Sequence, residues 1–152
     1  MLNALDLNGH RYENYGCTGV GNMDARVANK GKPIDVVDIA LKNRKQCLRC
    51  AFSNYGESYE KYTFDANTKT CGDKRDTAKR SFCECDKQFV VDHALEPDFN
   101  PDQDKYDYKK CQAPAGAGPF ACCKTHSFTF TKYNVQRSEC CADGKVVDIG
   151  TC

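Results

Sequence analysis

Residues 33–52, PIDVVDIALKNRKQCLRCAF, decide how the chain is read. Ile34, Val37, Leu41 and Leu48 fall on one helical stripe, and Pro33 suits a first-turn position, where its missing N–H has no helical partner to lose. The stretch predicts a helix. A second helix is predicted over residues 76–91, where Ala78, Phe82, Cys85 and Phe89 recur at the period of one buried face. Its start is expected near Asp76, whose carboxylate can cap free N–H groups, and its end before Pro97. Two apolar faces must be buried, and the nearest partner for each is the other. With Cys47 on the first helix and Cys83 and Cys85 on the second, the expectation is an antiparallel pair stapled by disulfides.

At 152 residues the chain is long enough for one domain, or one with a small appendage, but its core is thin: there is no Trp, and longer apolar runs are few. Twelve Cys, an even number, is the composition of a disulfide-stapled secreted protein in an oxidising compartment. Each bridge contributes about 2–4 kcal/mol, so several offset the missing core. No stretch approaches the ~20 apolar residues that span a bilayer, and the protein is expected to be soluble. Since Met1-Leu2-Asn3 is followed by no apolar signal region, a signal peptide is expected to have been removed. The net charge of +1 excludes a strong global field for nucleic acid or membranes, yet the charge is segregated. Residues 30–50 hold six Lys or Arg against two Asp, and residues 96–107 hold five acids and one Lys.

Around the helices the chain is punctuated. Residues 2–14 offer at most a short helix near 4–7, and residues 15–31 form a glycine-rich loop. Tyr59, Tyr62, Phe64 and the Asp65-Ala66-Asn67 turn predict a short β-hairpin between the helices. Residues 96–110 read as a surface loop and 114–119 (PAGAGP) as a linker. In the tail, Phe128, Phe130 and Tyr133 lie in a β-prone run and are expected to form the core of a small module. A turn at Ala142-Asp143-Gly144 and a strand with Val146, Val147 and Ile149 complete a cystine-clamped hairpin.

The order glycine loop, helix, hairpin, helix resembles the secreted phospholipase A2 family. Tyr15-Gly16-Cys17 with Gly19-Val20-Gly21 is similar to the start of that family's calcium loop, Pro33-Ile34-Asp35 with Asp38 to the beginning of its active-site helix, and Cys83-Glu84-Cys85-Asp86 to its CxCD motif. The resemblance covers residues 15–111 and implies the bridges Cys17–Cys111, Cys47–Cys85 and Cys71–Cys83. Cys50, Cys122, Cys123, Cys140, Cys141 and Cys152 then remain, and because five of these lie in the tail, at least one bridge is expected to tie Cys50 to it.

The departures from the family decide the expected chemistry. Where the family's active-site helix carries two adjacent cysteines and then a His-Asp pair, this chain has Ala40-Leu41 and Arg44-Lys45. The expected partners of the lost cysteines are lost with them, at Thr18-Gly19 and Asp92; Ala78 replaces a further family cysteine whose partner is also missing. In the family, His acts as general base while Ca²⁺, held by Asp and loop carbonyls, stabilises the oxyanion. Arg44 stays protonated and cannot be a base, and Lys45 brings positive charge where a divalent cation would bind. Asp86 and Tyr62 look like survivors of the family's supporting hydrogen-bond network, and an Arg44–Asp86 salt bridge is expected. The segment between Gly21 and Gly31 is longer than the family's loop, and most of an N-terminal helix is missing.

Other motifs carry less. Cys47-Leu48-Arg49-Cys50 matches CxxC, but a redox pair needs an exposed thiol at a helix N-terminus and this one sits at a helix end. A zinc site built from it with Cys83 and Cys85 would need a reducing compartment, against the other eight cysteines. His10, His93 and His126 are isolated, and Asp98, Asp102, Asp104 and Asp107 lack the Gly and closing Glu of a calcium-binding EF-hand. No metal or cofactor is therefore assigned.

The expected architecture is mainly α and disulfide-rich. A phospholipase A2-like body (1–111) of two linked antiparallel helices and a small hairpin is followed by a linker (112–121) and a cystine-rich hairpin module (122–152). The expected function is binding without catalysis, to an extracellular protein, matrix or mineral partner or as an assembly subunit. The alternative is a calcium-independent membrane-disrupting toxin, similar to venom homologues with lysine at the calcium-ligand position, in which Lys42, Arg44, Lys45 and Arg49 would face an anionic lipid or partner surface. A working calcium-dependent lipase would require the alignment above to shift by several residues.

Overall fold

The computed structural model of the protein describes residues 15–18, 31–56, 61–93, 110–112 and 118–152. The short helix expected near 4–7, the calcium-loop positions Gly19, Val20 and Gly21, His10, and the acidic cluster Asp98, Asp102, Asp104 and Asp107 lie outside the described residues.

Helix α1 spans Val36–Tyr55 and α2 spans Ala78–His93. The first starts later than Pro33 suggests, because Asp35 is its cap: the Asp35 carboxylate accepts the Asp38 N–H at 2.8 Å while its carbonyl accepts the Ile39 N–H. Ile34 therefore precedes the helix and is exposed, whereas Val37, Leu41 and Leu48 are buried. No Gly or Pro interrupts α1, and after Tyr55 the Gly56 amide closes the last turn onto the Phe52 carbonyl. The cap of α2 likewise shifts by one residue. Thr77 accepts the Arg80 N–H, while Asp76 adopts a left-handed φ of 60° and gives its carboxylate to Tyr55 and Lys124. Ala78, Phe82, Cys85 and Phe89 are all buried, and each large ring taken out of water contributes about 2–3 kcal/mol.

The chain divides into two units, Met1–Lys45 with Asp86–Ala115, and Gln46–Cys85 with Gly116–Cys152. In the first, Tyr15, Val37, Ala40, Leu41 and Phe89 form a core cluster, and Arg44 meets Asp86. In the second, Cys47 is bonded to Cys85 and the Phe52 and Phe82 rings meet edge-on at 5.3 Å. Within each unit the contacts climb one helix as they descend the other, which makes the pairing antiparallel.

Among the described residues the other elements are three two-stranded antiparallel hairpins. Strands β1 (Phe64–Asp65) and β2 (Thr70–Cys71) pair Phe64 with Cys71, and the Asp65 carboxylate shapes their turn by accepting the Asn67 and Thr68 amides. These two bonds hold the Asp65 carboxyl below the usual range. Strands β3 (Phe120–Lys124) and β4 (Phe130–Asn134) form the largest ladder, and β5 (Ser138–Cys140) and β6 (Val146–Asp148) the last. The tail thus holds two hairpins where one was expected, and Phe120 and Ala121 belong to a strand. Phe128 lies in the β3–β4 turn with φ 64°, not in a strand. Phe130 is the buried aromatic of the tail, edge-on to Tyr55, while Phe128 and Tyr133 are half-buried. Gly144, at φ 80°, packs so closely that a Cβ there would lie 2.7 Å from the Thr125 Cα.

All twelve cysteines are bonded: Cys17–Cys111, Cys47–Cys85, Cys50–Cys122, Cys71–Cys83, Cys123–Cys140 and Cys141–Cys152. The neighbours Cys122 and Cys123 go to different partners, and so do Cys140 and Cys141. Among the described residues no helix is long and apolar enough to cross a membrane.

Candidate functional site

Of the positions singled out on α1, Lys42, Arg44 and Lys45 lie in the first unit and Arg49 in the second, and the first unit is organised by a carboxylate. Asp38 is fully buried and accepts three backbone N–H groups, from Cys17 at 2.8 Å, Thr18 at 2.9 Å and Ile34 at 3.0 Å. A buried anion surrounded by amide donors at a helix start is stabilised both by the hydrogen bonds and by the helix dipole. Gly16 makes the close approach feasible: its φ is 59°, and a Cβ would lie 2.5 Å from the Asp38 carboxylate. The Tyr15 hydroxyl donates to Asp35, so the loop is fastened to the helix cap as well.

About two turns further along, the two positions of interest point inward. Arg44 Nε donates to Asp86 Oδ1 at 2.7 Å, and the two side chains are only 8% and 2% exposed. Lys45 is equally buried, and its Nζ donates to the Thr18 carbonyl at 2.5 Å. The Thr18 peptide therefore stands between opposite charges, its N–H on Asp38 and its C=O on Lys45. Two cations and two carboxylates are buried in the same unit, which keeps the interior near electrical balance; a lone buried charge would cost several kcal/mol. The Thr18 hydroxyl is buried with no hydrogen-bond partner among the described residues.

The chemistry open to this arrangement is narrow. A guanidinium has no lone pair to take a proton from water, and an ammonium already donating to a carbonyl supplies positive charge but no acceptor. The Asp86 and Asp38 carboxylates are already accepting the bonds described. Among the described residues no three His, Cys, Asp or Glu side chains gather into a group that could hold a metal ion. No family model matches the chain.

Of the residues singled out in the sequence, Arg44, Lys45 and Asp86 lie in this unit and Arg44 is joined to Asp86, whereas Tyr62 is half-buried in the other unit just before β1. Of Lys42, Arg44, Lys45 and Arg49, Arg44 and Lys45 are turned inward, Lys42 is half-buried and Arg49 is exposed. His126 is exposed, and His93 packs beside Phe89, where burial pushes its imidazole below the usual 6.5. Sequence reasoning missed Asp38 as the organiser. The available signal was an acidic residue three positions after a capping Asp, together with a glycine in the loop it holds.

Proposed function

We propose that the protein is a secreted, catalytically inert relative of the phospholipase A2 family that acts by binding an extracellular partner, in matrix, at a mineral surface or within a larger assembly. The observation that carries this reading is the use made of two adjacent positions on α1. If the resemblance holds, the family's general base corresponds to Arg44, here spent on an ion pair with Asp86, and its calcium ligand to Lys45, whose ammonium sits on the Thr18 carbonyl. A cation approaching that carbonyl would meet a positive charge already in place. Loss of the base alone costs ~10²–10⁴ in rate, and loss of the metal several kcal/mol more. Six disulfides fit an oxidising, extracellular setting.

The deciding experiment incubates the protein with dye-loaded anionic vesicles, with calcium and then with chelator, following fatty-acid release and leakage together. Binding without catalysis gives neither signal, and calcium leaves the melting temperature unchanged. Calcium-dependent fatty-acid release would overturn the reading. Leakage without hydrolysis would favour a calcium-independent membrane-disrupting protein instead, a reading supported by the exposed apolar side chains Ile34, Val36 and Ile39 around the start of α1.

A further inference from the structure

The second unit concentrates positive charge on two segments that its contacts hold together. Residues 73–80, the turn before α2 and its first turn, carry four basic and two acidic side chains. Residues 118–137, the β3–β4 hairpin, carry three Lys or Arg, one His and no carboxylate at all. Together they have a net charge of +5, within a chain whose total is +1. The segments meet at two points. Lys124 donates to Asp76 at 2.6 Å, and the Phe128 ring receives the guanidinium of Arg75 at 5.1 Å and that of Arg80 at 5.9 Å from its centroid.

Three of these cations have no carboxylate partner among the described residues. Lys74, Arg75 and Lys132 are exposed, and none has an acidic partner within 4.0 Å among the described residues. The ladder pairs Lys132 with Cys122 and Phe130 with Lys124, so both lysines lie on the hairpin face that Cys122 and Phe130 fasten to α1, with Lys124 half-buried at its rim and Lys132 exposed. The tip between the strands is hydrophilic: the hydroxyls of Thr125, Ser127 and Thr129 lie within 3.4 Å of one another. Phe128 is held at φ 64°, a conformation a bulky residue keeps only when its surroundings enforce it, and its ring faces guanidinium groups rather than open solvent.

We propose that this surface, formed by the turn before α2 and the β3–β4 hairpin, binds a sulfated polysaccharide. Guanidinium and ammonium groups without carboxylate partners, set around a hydroxyl-bearing tip, match a chain of sulfate esters, with Arg75 offering a planar donor pair to a sulfate. A lipid bilayer would call for apolar side chains projecting beyond the cations; the exposed Phe120 and Val135 of this hairpin lie at the end away from its hydroxyl-bearing tip, and the Lys132 ammonium covers the Phe120 ring at 4.6 Å. The proposal rests on the reading of the protein as an extracellular binder, but not on the likeness to phospholipase A2.

The test measures binding of the full disulfide-bonded chain to immobilised heparin, fully desulfated heparin and an unsulfated carboxylated polysaccharide at physiological salt, and to phosphatidylserine vesicles. Binding is expected to heparin alone, and Arg75→Glu with Lys132→Glu is expected to weaken it about tenfold or more. Lys42→Glu, in the other unit, is expected to leave it unchanged. Lys74→Glu with Lys132→Glu repeats the test without touching Phe128, should the Arg75 variant lower the melting temperature. No binding to heparin, equal binding to the unsulfated chains, binding to the vesicles as tight as to heparin, or a larger loss from Lys42→Glu than from the paired variants would each overturn the proposal. Calcium-dependent hydrolysis in the vesicle assay would defeat the non-catalytic reading while leaving the sulfate dependence to stand or fall by itself.

Discussion

Replacing Asp38 by Ala removes the only acceptor described for three backbone donors at once. Two of these, the Cys17 and Thr18 amides, are buried, and the third, from Ile34, is partly so. A buried donor left unpaired costs about 1–3 kcal/mol. With both buried amides orphaned and the Ile34 amide partly hydrated, the expected loss is about 3–5 kcal/mol. That is a large share of the about 5–15 kcal/mol typical of a whole domain. The loss is read as a lowered urea midpoint with disulfides intact, and locally as faster hydrogen exchange at the Cys17 and Thr18 amides. Asp38→Asn keeps one acceptor oxygen but turns an NH₂ toward an amide donor, so it should fall in between. A loss below about 1 kcal/mol for the Ala variant, with both amides still protected, would show that the carboxylate does not organise this loop.

Breaking the buried pair by Arg44→Met or Asp86→Asn should each cost about 3–5 kcal/mol, while Arg44→Met with Asp86→Leu should recover most of it; a double-mutant cycle in urea checks the difference. Gly144→Ala should destabilise by about 2–4 kcal/mol, because it adds a backbone clash to the left-handed strain, whereas Gly150→Ala, at φ 88° with open space around it, should cost only about 1–2 kcal/mol; their melting temperatures give the order. Because burial holds His93 below the usual 6.5, the unfolded chain takes up its proton first on acidification, so its contribution is intact above 6.5 and lost as pH falls toward the folded value; His93→Gln should flatten melting temperature against pH in that window.

The helix pair was legible because a buried stripe needs only a periodicity, and that survives without knowledge of the rest of the chain. The Arg44–Asp86 contact was legible for a related reason: opposite charges face each other once two helices are aligned, and the CxCD resemblance supplied the alignment. The helix starts were not. At both, two neighbouring residues can serve as the cap or first turn, and the choice is made by remote contacts. Asp76 is drawn into a left-handed conformation where Lys124, 48 positions away, reaches its carboxylate, which leaves Thr77 to cap α2. Strand β3 was hidden for another reason, since the preceding glycine and proline residues look like a tether and two adjacent cysteines break any alternation. Asp38 looked like an ordinary acid in a first helical turn; nothing local announces that amides from 20 and 21 positions earlier will converge on it.

The adjacent cysteines of the tail have a bearing on how the molecule is made. Successive residues of a strand face opposite ways, so the pleat of β3 sends the Cys122 sulfur to Cys50 on α1 and the Cys123 sulfur to Cys140 on β5. A slip of one residue in the β3–β4 register would exchange the two sulfurs and misroute both connections. The hairpin therefore acts as a sorting jig for oxidative maturation, because only the native ladder presents each of the two sulfurs to its own partner. The same adjacency supplies the remedy. A free thiolate next to a wrongly made bond attacks it directly, so proofreading by neighbour exchange can restore the route from α1 through β3 and β5 to Cys152 without unravelling the chain.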